Sequence, residues 1–264
     1  MKAVVCNERG AAQMLLVCDH ASNHVPEEFA GLNLSDATLQ GHAAWDIGAF
    51  DLARRLALTL DAPLVAAPAS RLLVDPNRDV DAPDLIPEVA EHTPVLGNIC
   101  LGAAARAARV ANFHDPYHAA IEATLRMRAD IIALVSIHSF TPVLFGERRP
   151  WHVGVLHGQD RRVADVLLSA LARDAALVTG RNVPYAPSDG VFYTMDRHAN
   201  GRATAMIEVR NDLLRDEAGQ CRMAHRLAEA TREALSEICT HCDASPPSAE
   251  EMCADRGHPP WKAC

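Results

Sequence analysis

Several apolar runs in this chain stop at residues able to do chemistry. The run MLLVC at 14–18 stops at Asp19-His20. In ALVSIHSFTP, the apolar run 131–135 ends in Ser136, Ile137, His138 and Ser139. The run 153–157 ends on His157, and 205–209 carries Glu208 and leads into Arg210, Asn211 and Asp212. Packing alone gives no reason for a histidine at the tip of a buried strand. In open α/β sheets the ligand crevice lies beyond the carboxyl ends of the strands. Three histidines from three strands are therefore expected to converge there. Each alone reads as a structural donor, and the joint pattern is what points to a site.

The chemistry narrows by exclusion. There is no G-x-S-x-G elbow, and Ser139 beside His138 is no triad, because neighbours on a strand point to opposite faces. The zincin pattern H-E-x-x-H is absent. In HDPYH, His114 and His118 have i,i+4 spacing, but Pro116 between them is expected to open a helix that leaves His114 outside, so this pair is not read as a metal site. A metal hydrolase with dispersed ligands fits better. Catalytic zinc takes three protein ligands and keeps one position open. His20 and His138 are the first two; Asp46 in HAAWDIGAF leads for the third, with His42, Asn23 and His24 as alternatives. A helix N-terminal acid is the equal rival reading of Asp46.

Glu208 lies inside an apolar strand, and a buried charge needs a partner or a function. An ion pair with Arg210 would supply the partner. General-base duty toward metal-activated water would supply the function, and is favoured. Arg71 and Arg78 flank one short segment, SRLLVDPNR, and Arg210 follows Glu208. Guanidinium groups bind carboxylate bidentately, which suits an acidic substrate.

The elements that must position these residues follow from periodicity. Strands are expected at 14–18, 63–67, 71–74, 131–137, 153–157 and 205–209. Helices are expected at 46–60, 115–128, 160–173 and 218–238, and a long surface loop at 79–99. Alternating strands and helices indicate an α/β sandwich on one sheet. A 49% hydrophobic content allows a substantial core. The net charge of −9 argues against a nucleic-acid partner. The start MKAVVCNERG is no secretory signal, and no apolar run reaches the ~18 residues of a membrane span, so a cytoplasmic protein with thiols rather than disulfides is expected. Cys6, Cys18, Cys100 and Cys221 read as small apolar residues. One domain is expected over 1–239, with a flexible Cys- and Pro-rich tail at 240–264. At the junction and within the tail stand Cys239, Cys242, Cys253 and Cys264. Its lone C-x-x-C is a weak metal or redox signal, and the tail is read as uninvolved.

The segments LLVCDHASNHVP, HAAWDIGAFDLA, SRLLVDPNR, DPYHAAI, SIHSFTPVLFGERRPWHVGVLH, NVPYAPSD and IEVRNDL resemble, in order, the N-formylglutamate amidohydrolase family. The resemblance implies a three-layer α/β/α sandwich with a mixed, largely parallel sheet, related to zinc metallocarboxypeptidases (phosphorylase/hydrolase-like). It implies zinc-dependent cleavage of N-formyl-L-glutamate to formate and glutamate, a late step in one route of histidine degradation. His20 and His138 take the place of the metal histidines and Glu208 that of the catalytic glutamate. Where carboxypeptidases have H-x-x-E, this chain has His20-Ala-Ser-Asn23, so the third ligand is sought at Asp46. Arg71, Asn77, Arg78, Ser139, His157, His198 and Arg210 are the expected substrate-binding residues. The expected partner is a small anionic N-acyl amino acid; the oligomeric state is not legible. Another N-acyl amino acid or a small peptide as substrate, or a non-catalytic binding protein on the same fold, are the alternatives.

Overall fold

Period-two alternation divides the long strands between two cores. The computed structural model describes residues 1–243. Among these residues seven strands form one sheet: β1 Val4–Cys6, β2 Met14–Cys18, β3 Leu64–Ala66, β4 Ala133–Phe140, β5 Val153–Leu156, β6 Thr179–Arg181 and β7 Ala203–Arg210, in the order β1-β3-β2-β4-β7-β5-β6. The four central strands β3, β2, β4 and β7 are parallel. β1 and β5 run against them, and β6 follows β5.

Five helices cover the sheet: α1 Ala49–Leu60, α2 Asp115–Met127, α3 Arg162–Leu171, α4 Tyr193–His198 and α5 Glu217–Asp243. Leu16, Val135, Ile137, Ala205 and Ile207 pack with Leu52, Leu56, Leu167 and Leu227 of α1, α3 and α5. Leu15, Val17, Leu134 and Met206, one residue out of phase, pack with Tyr117, Ile121 and Met195 of α2 and α4. Each fully buried large apolar side chain contributes roughly 1.5–3 kcal/mol. This is the expected three-layer sandwich with a mixed, largely parallel sheet. The α2 side is the one that also receives Ser136, His138 and Glu208, at even steps from Leu134 and Met206.

Local chemistry sets where α1 begins. Gly48 stands before it with φ +79°, and a Cβ there would lie 2.6 Å from Leu214 Cβ, so the chain can turn into the helix here only with glycine. The helix therefore starts three residues after Asp46, leaving that carboxylate in the preceding turn.

Four expectations need correction. Residues 71–74 form turns, not a strand: their apolar side chains fill a separate small core with Leu32, Leu85, Ile86, Val95 and Phe113. The 79–99 segment is not a bare surface loop; it holds a Val89–Ala90/Thr93–Pro94 ladder and is fastened by buried Arg109, which donates to the carbonyls of Leu73 and Gly97. His114 is not outside the helix, since a π turn, Val110–His114, runs directly into α2. Cys100 and Cys221 are exposed. The strands β1 and β6 and the short α4 were not expected. α5 reaches Asp243, and the C-terminal cysteines after Cys239 lie outside the side chains described. Among the described residues no helix is long and apolar enough to cross a membrane.

Candidate metal centre

The carboxyl ends of β2, β4 and β7 meet at one small cavity of about 160 Å³. The turn after β2 supplies His20, β4 supplies His138, and β7 supplies Glu208 directly beside His138 in the parallel register. Asp46, from the turn before α1, completes the group. His20, Asp46 and His138 are all buried, and each offers a ligand atom within 4.8 Å of the others.

The two imidazoles are held alike. His138 Nε2 donates to Asp19 Oδ2 at 2.8 Å, and His20 Nε2 donates to Asp75 Oδ1 at 2.8 Å. Each Nδ1 consequently faces Asp46, His138 at 2.8 Å and His20 at 3.5 Å. A metal-binding histidine characteristically donates its other ring N–H to a carboxylate, which fixes its tautomer and raises its basicity. Asp46 caps no helix with its side chain; it also accepts from Ser139 N at 3.2 Å and pairs with Arg71 Nη1 at 3.2 Å.

Asp19, which the sequence offers only as the polar end of a strand, is bonded directly into this cluster. Completely buried, it accepts from Tyr117 Oη at 3.0 Å, Ser136 Oγ at 2.7 Å, Thr194 Oγ1 and His138. The available signal was a carboxylate directly after five apolar residues, with Ser136 and His138 at matching phase on another strand.

Charge explains the perturbed titrations. Burial alone would raise Asp19 and Asp46, but the hydrogen bond from His138 lowers Asp19, and Arg71 together with His20 holds Asp46 well below the carboxylate range. Asp75, likewise opposed by burial, is brought to about 2 by His20. Burial would lower both imidazoles, yet Asp19 and Asp46 push His138 well up, and Asp75 and Asp46 raise His20. Three buried carboxylates thus face two permanent cations, Arg71 and Arg78, and the imidazoles draw protons to make up the difference. A divalent ion would supply the same missing charge to two imidazoles already oriented by their Nε2 bonds. The donor set fits such an ion.

Glu208 behaves differently. It is 4% exposed, and its Oε2 is the one buried side-chain oxygen or nitrogen among the described residues with no hydrogen-bond partner. Burial raises its pKa to about 7. On the neighbouring strand Gly154 stands opposite, where a Cβ would lie 1.7 Å from the Val183 carbonyl oxygen. The ion pair with Arg210, the rival reading of Glu208, does not form: Arg210 pairs with Asp212.

The structure sorts the expected substrate-binding residues. Arg71, Asn77, Arg78 and Ser139 line the cavity. Arg71 is nevertheless occupied: Nε donates to Ala43 O, Nη2 to His42 O, and Nη1 lies against Asp46 and His20. Ser139 Oγ donates to Ile47 O, and Asn77 ties Val191 O to Thr194 N. Arg78 donates through Nε to Asp84 and through Nη1 to two carbonyls, which leaves Nη2.

Three expected residues stand elsewhere. His157 follows β5, which runs antiparallel to β7, so it emerges at the opposite edge of the sheet and binds Arg181 at 2.8 Å. Arg210 pairs with Asp212 at 2.8 Å. His198 binds His118, not the cavity. Two residues not anticipated are Tyr185, which lines the cavity, and Arg149, whose Nη1 donates to Tyr185 Oη at 3.0 Å while its guanidinium stacks near the rings of Phe140 and Tyr185. Arg149 has no carboxylate partner among the described residues.

With that geometry in place, likeness to known proteins becomes informative. The pattern of the N-formylglutamate amidohydrolase family matches residues 12–215. A crystal structure of a gene product of Agrobacterium tumefaciens is 40% identical with a TM-score of 0.87, covering 90% of this chain and 96% of that one. The crystal structure of N-formylglutamate amidohydrolase from Ralstonia eutropha JMP134 shares the fold at 16% identity and a TM-score of 0.69, covering 91% of this chain and 99% of that one. No curated protein sequence matches.

Proposed function

This chain belongs to the N-formylglutamate amidohydrolase family, and from that premise we propose that it hydrolyses N-formyl-L-glutamate with a zinc ion held by His20, Asp46 and His138. The observation that carries the proposal is the unpartnered Oε2 of buried Glu208, beside that triad in the same cavity.

When bound, such an ion acidifies a water and polarises a carbonyl. Glu208 does the proton work. Buried beside the triad with Oε2 unpartnered, its carboxylate is placed to take a proton from the attacking water and return it to the leaving nitrogen. Formate and the free amine of glutamate are then the products. Asp19 and Asp75 hold His138 and His20 in the tautomer that leaves Nδ1 to the ion. Arg78 Nη2 and the carboxylate-free guanidinium of Arg149 are the anchors for substrate carboxylates.

Cavity size favours this over a peptide substrate. About 160 Å³ is below the roughly 300 Å³ at which pockets for drug-sized ligands begin, and suits a small amino-acid derivative. A purely binding protein has no use for a carboxylate kept buried and without a hydrogen-bond partner. The test is to strip the protein with chelator, restore zinc, and compare formyl-, acetyl- and succinyl-glutamate with formyl-aspartate. Formyl-glutamate should have the highest kcat/KM, with activity lost on stripping and regained on reloading. No hydrolysis of any of the four by zinc-loaded protein would overturn the proposal.

A further inference from the structure

His114 and His118 are completely buried in the helical run that contains α2, and neither belongs to the metal centre. Each meets a backbone carbonyl through Nε2: His118 at Pro76 O, 2.9 Å, and His114 at Arg78 O, 3.1 Å. A carbonyl oxygen only accepts, so both Nε2 atoms carry hydrogen. His118 Nδ1 then accepts, at 2.8 Å, from Nε2 of His198 on α4. Burial lowers His118 to about 2 and His198 to about 4, so both rings stay neutral and this donor pattern holds at neutral pH.

The segment fastened in this way is Asp75-Pro76-Asn77-Arg78. Its side chains reach the metal centre and the cavity: Asp75 orients His20, and Arg78 lines the pocket. It is a turn with no strand pairing, so few backbone bonds fix it. Asp75 N bonds to Leu85 O, Arg78 N reaches back to Asp75 O, and Pro76 has no N–H to give.

We propose that His114 and His118 are positioning residues that act through this backbone. His118, through Pro76, sets the carboxylate that orients His20; His114, through the Arg78 carbonyl, sets the guanidinium that meets the substrate. The inference rests on the reading of the site given above.

Gln and Asn substitutions separate the donor from mere packing. A glutamine amide nitrogen reaches about where Nε2 lies, and an asparagine amide only where Nδ1 lies. Zinc affinity is measured by chelator competition on the full chain, and KM and kcat on N-formyl-L-glutamate. His118→Asn should weaken zinc about five- to tenfold, while His118→Gln stays within about twofold of the parent. His114→Asn should raise KM about five- to tenfold with kcat and zinc affinity held, and His114→Gln should restore KM. Equal behaviour of Gln and Asn at either position, both harmful or both silent, overturns the role of that histidine. Should an Asn variant not fold, its Gln partner decides alone: parental values uphold the donor role, and a fivefold loss overturns it. Zinc titration needs no substrate. If the parent protein fails to hydrolyse N-formyl-L-glutamate, the substrate reading falls while the His118 test stands, and glutarate binding by calorimetry then reads the Arg78 arm.

Discussion

Two buried histidine pairs in this molecule have nearly the same ring separation and opposite electrostatics. His20 and His138 lie with ring centroids 4.9 Å apart and nearly perpendicular; His118 and His198 lie 5.1 Å apart and stacked. Burial lowers the pKa in every case. In the first pair Asp19, Asp46 and Asp75 overcome it and raise both rings. In the second, Pro76 O and a neighbouring imidazole are the bonded partners, His114 and Arg197 add to the lowering, Asp19 and Glu122 do not offset it, and the rings stay neutral. Burial does not distinguish a ligand from a strut. The carboxylates behind the ring do, because only they prepare an imidazole to face a cation.

The contrast is broken most severely by deleting one ring from each pair. His138→Ala should weaken zinc on the order of a thousandfold, one ligand's share of the binding free energy. His198→Ala should leave stoichiometric zinc. Metal analysis after gel filtration reads both, and equal losses would mean the pairs do not differ in function.

The sharpest pH test lies at Glu208, the carboxylate with no partner. Its folded pKa of about 7 exceeds the ordinary 4.5, so the folded state of the metal-free protein binds more protons between those values. Stability therefore falls as pH rises from 4.5 to 7, and the penalty is complete above 7. Glu208→Gln should remove it, stabilising metal-free protein by up to about 3 kcal/mol at pH 8 and little at pH 4.5. Urea denaturation at the two pH values checks this; an equal change at both would refute the buried-charge account.

Smaller effects probe the carboxylate support and the rim. Asp19→Asn should cost about 10- to 100-fold in zinc affinity by chelator competition, although Asp19 itself is no ligand. Arg149→Gln should raise KM for N-formyl-L-glutamate about tenfold by removing one charge-assisted hydrogen bond, with zinc content unchanged. An unaltered KM would remove Arg149 as an anchor.

Much of this site was legible in the sequence, because strands announce their own ends. His138 and Glu208 are polar residues at fixed phase in apolar runs, His20 stands just past the end of another, and parallel central strands bring them to one edge. His157 misled because strand direction is invisible in an isolated run: β5 is antiparallel to its neighbour, so its end is on the wrong edge. Residues 71–74 looked like a strand because they are apolar and buried, but they pack into a loop core instead of the sheet. Arg71 and Arg210 misled for a different reason. An arginine's partner is a tertiary fact, and theirs are already inside the protein: Asp46 with two carbonyls for Arg71, Asp212 for Arg210. Arg149 and Tyr185 were missed on the same ground, since neither has a periodic or spacing signature.

The central claim is that Glu208 serves as the base beside an ion held by His20, Asp46 and His138. Zinc content and turnover of Glu208→Gln, measured on the same preparation with N-formyl-L-glutamate, test it most directly. The account predicts one zinc per chain and kcat lower by about 10²- to 10⁴-fold. Turnover at the parental rate with zinc bound would contradict it.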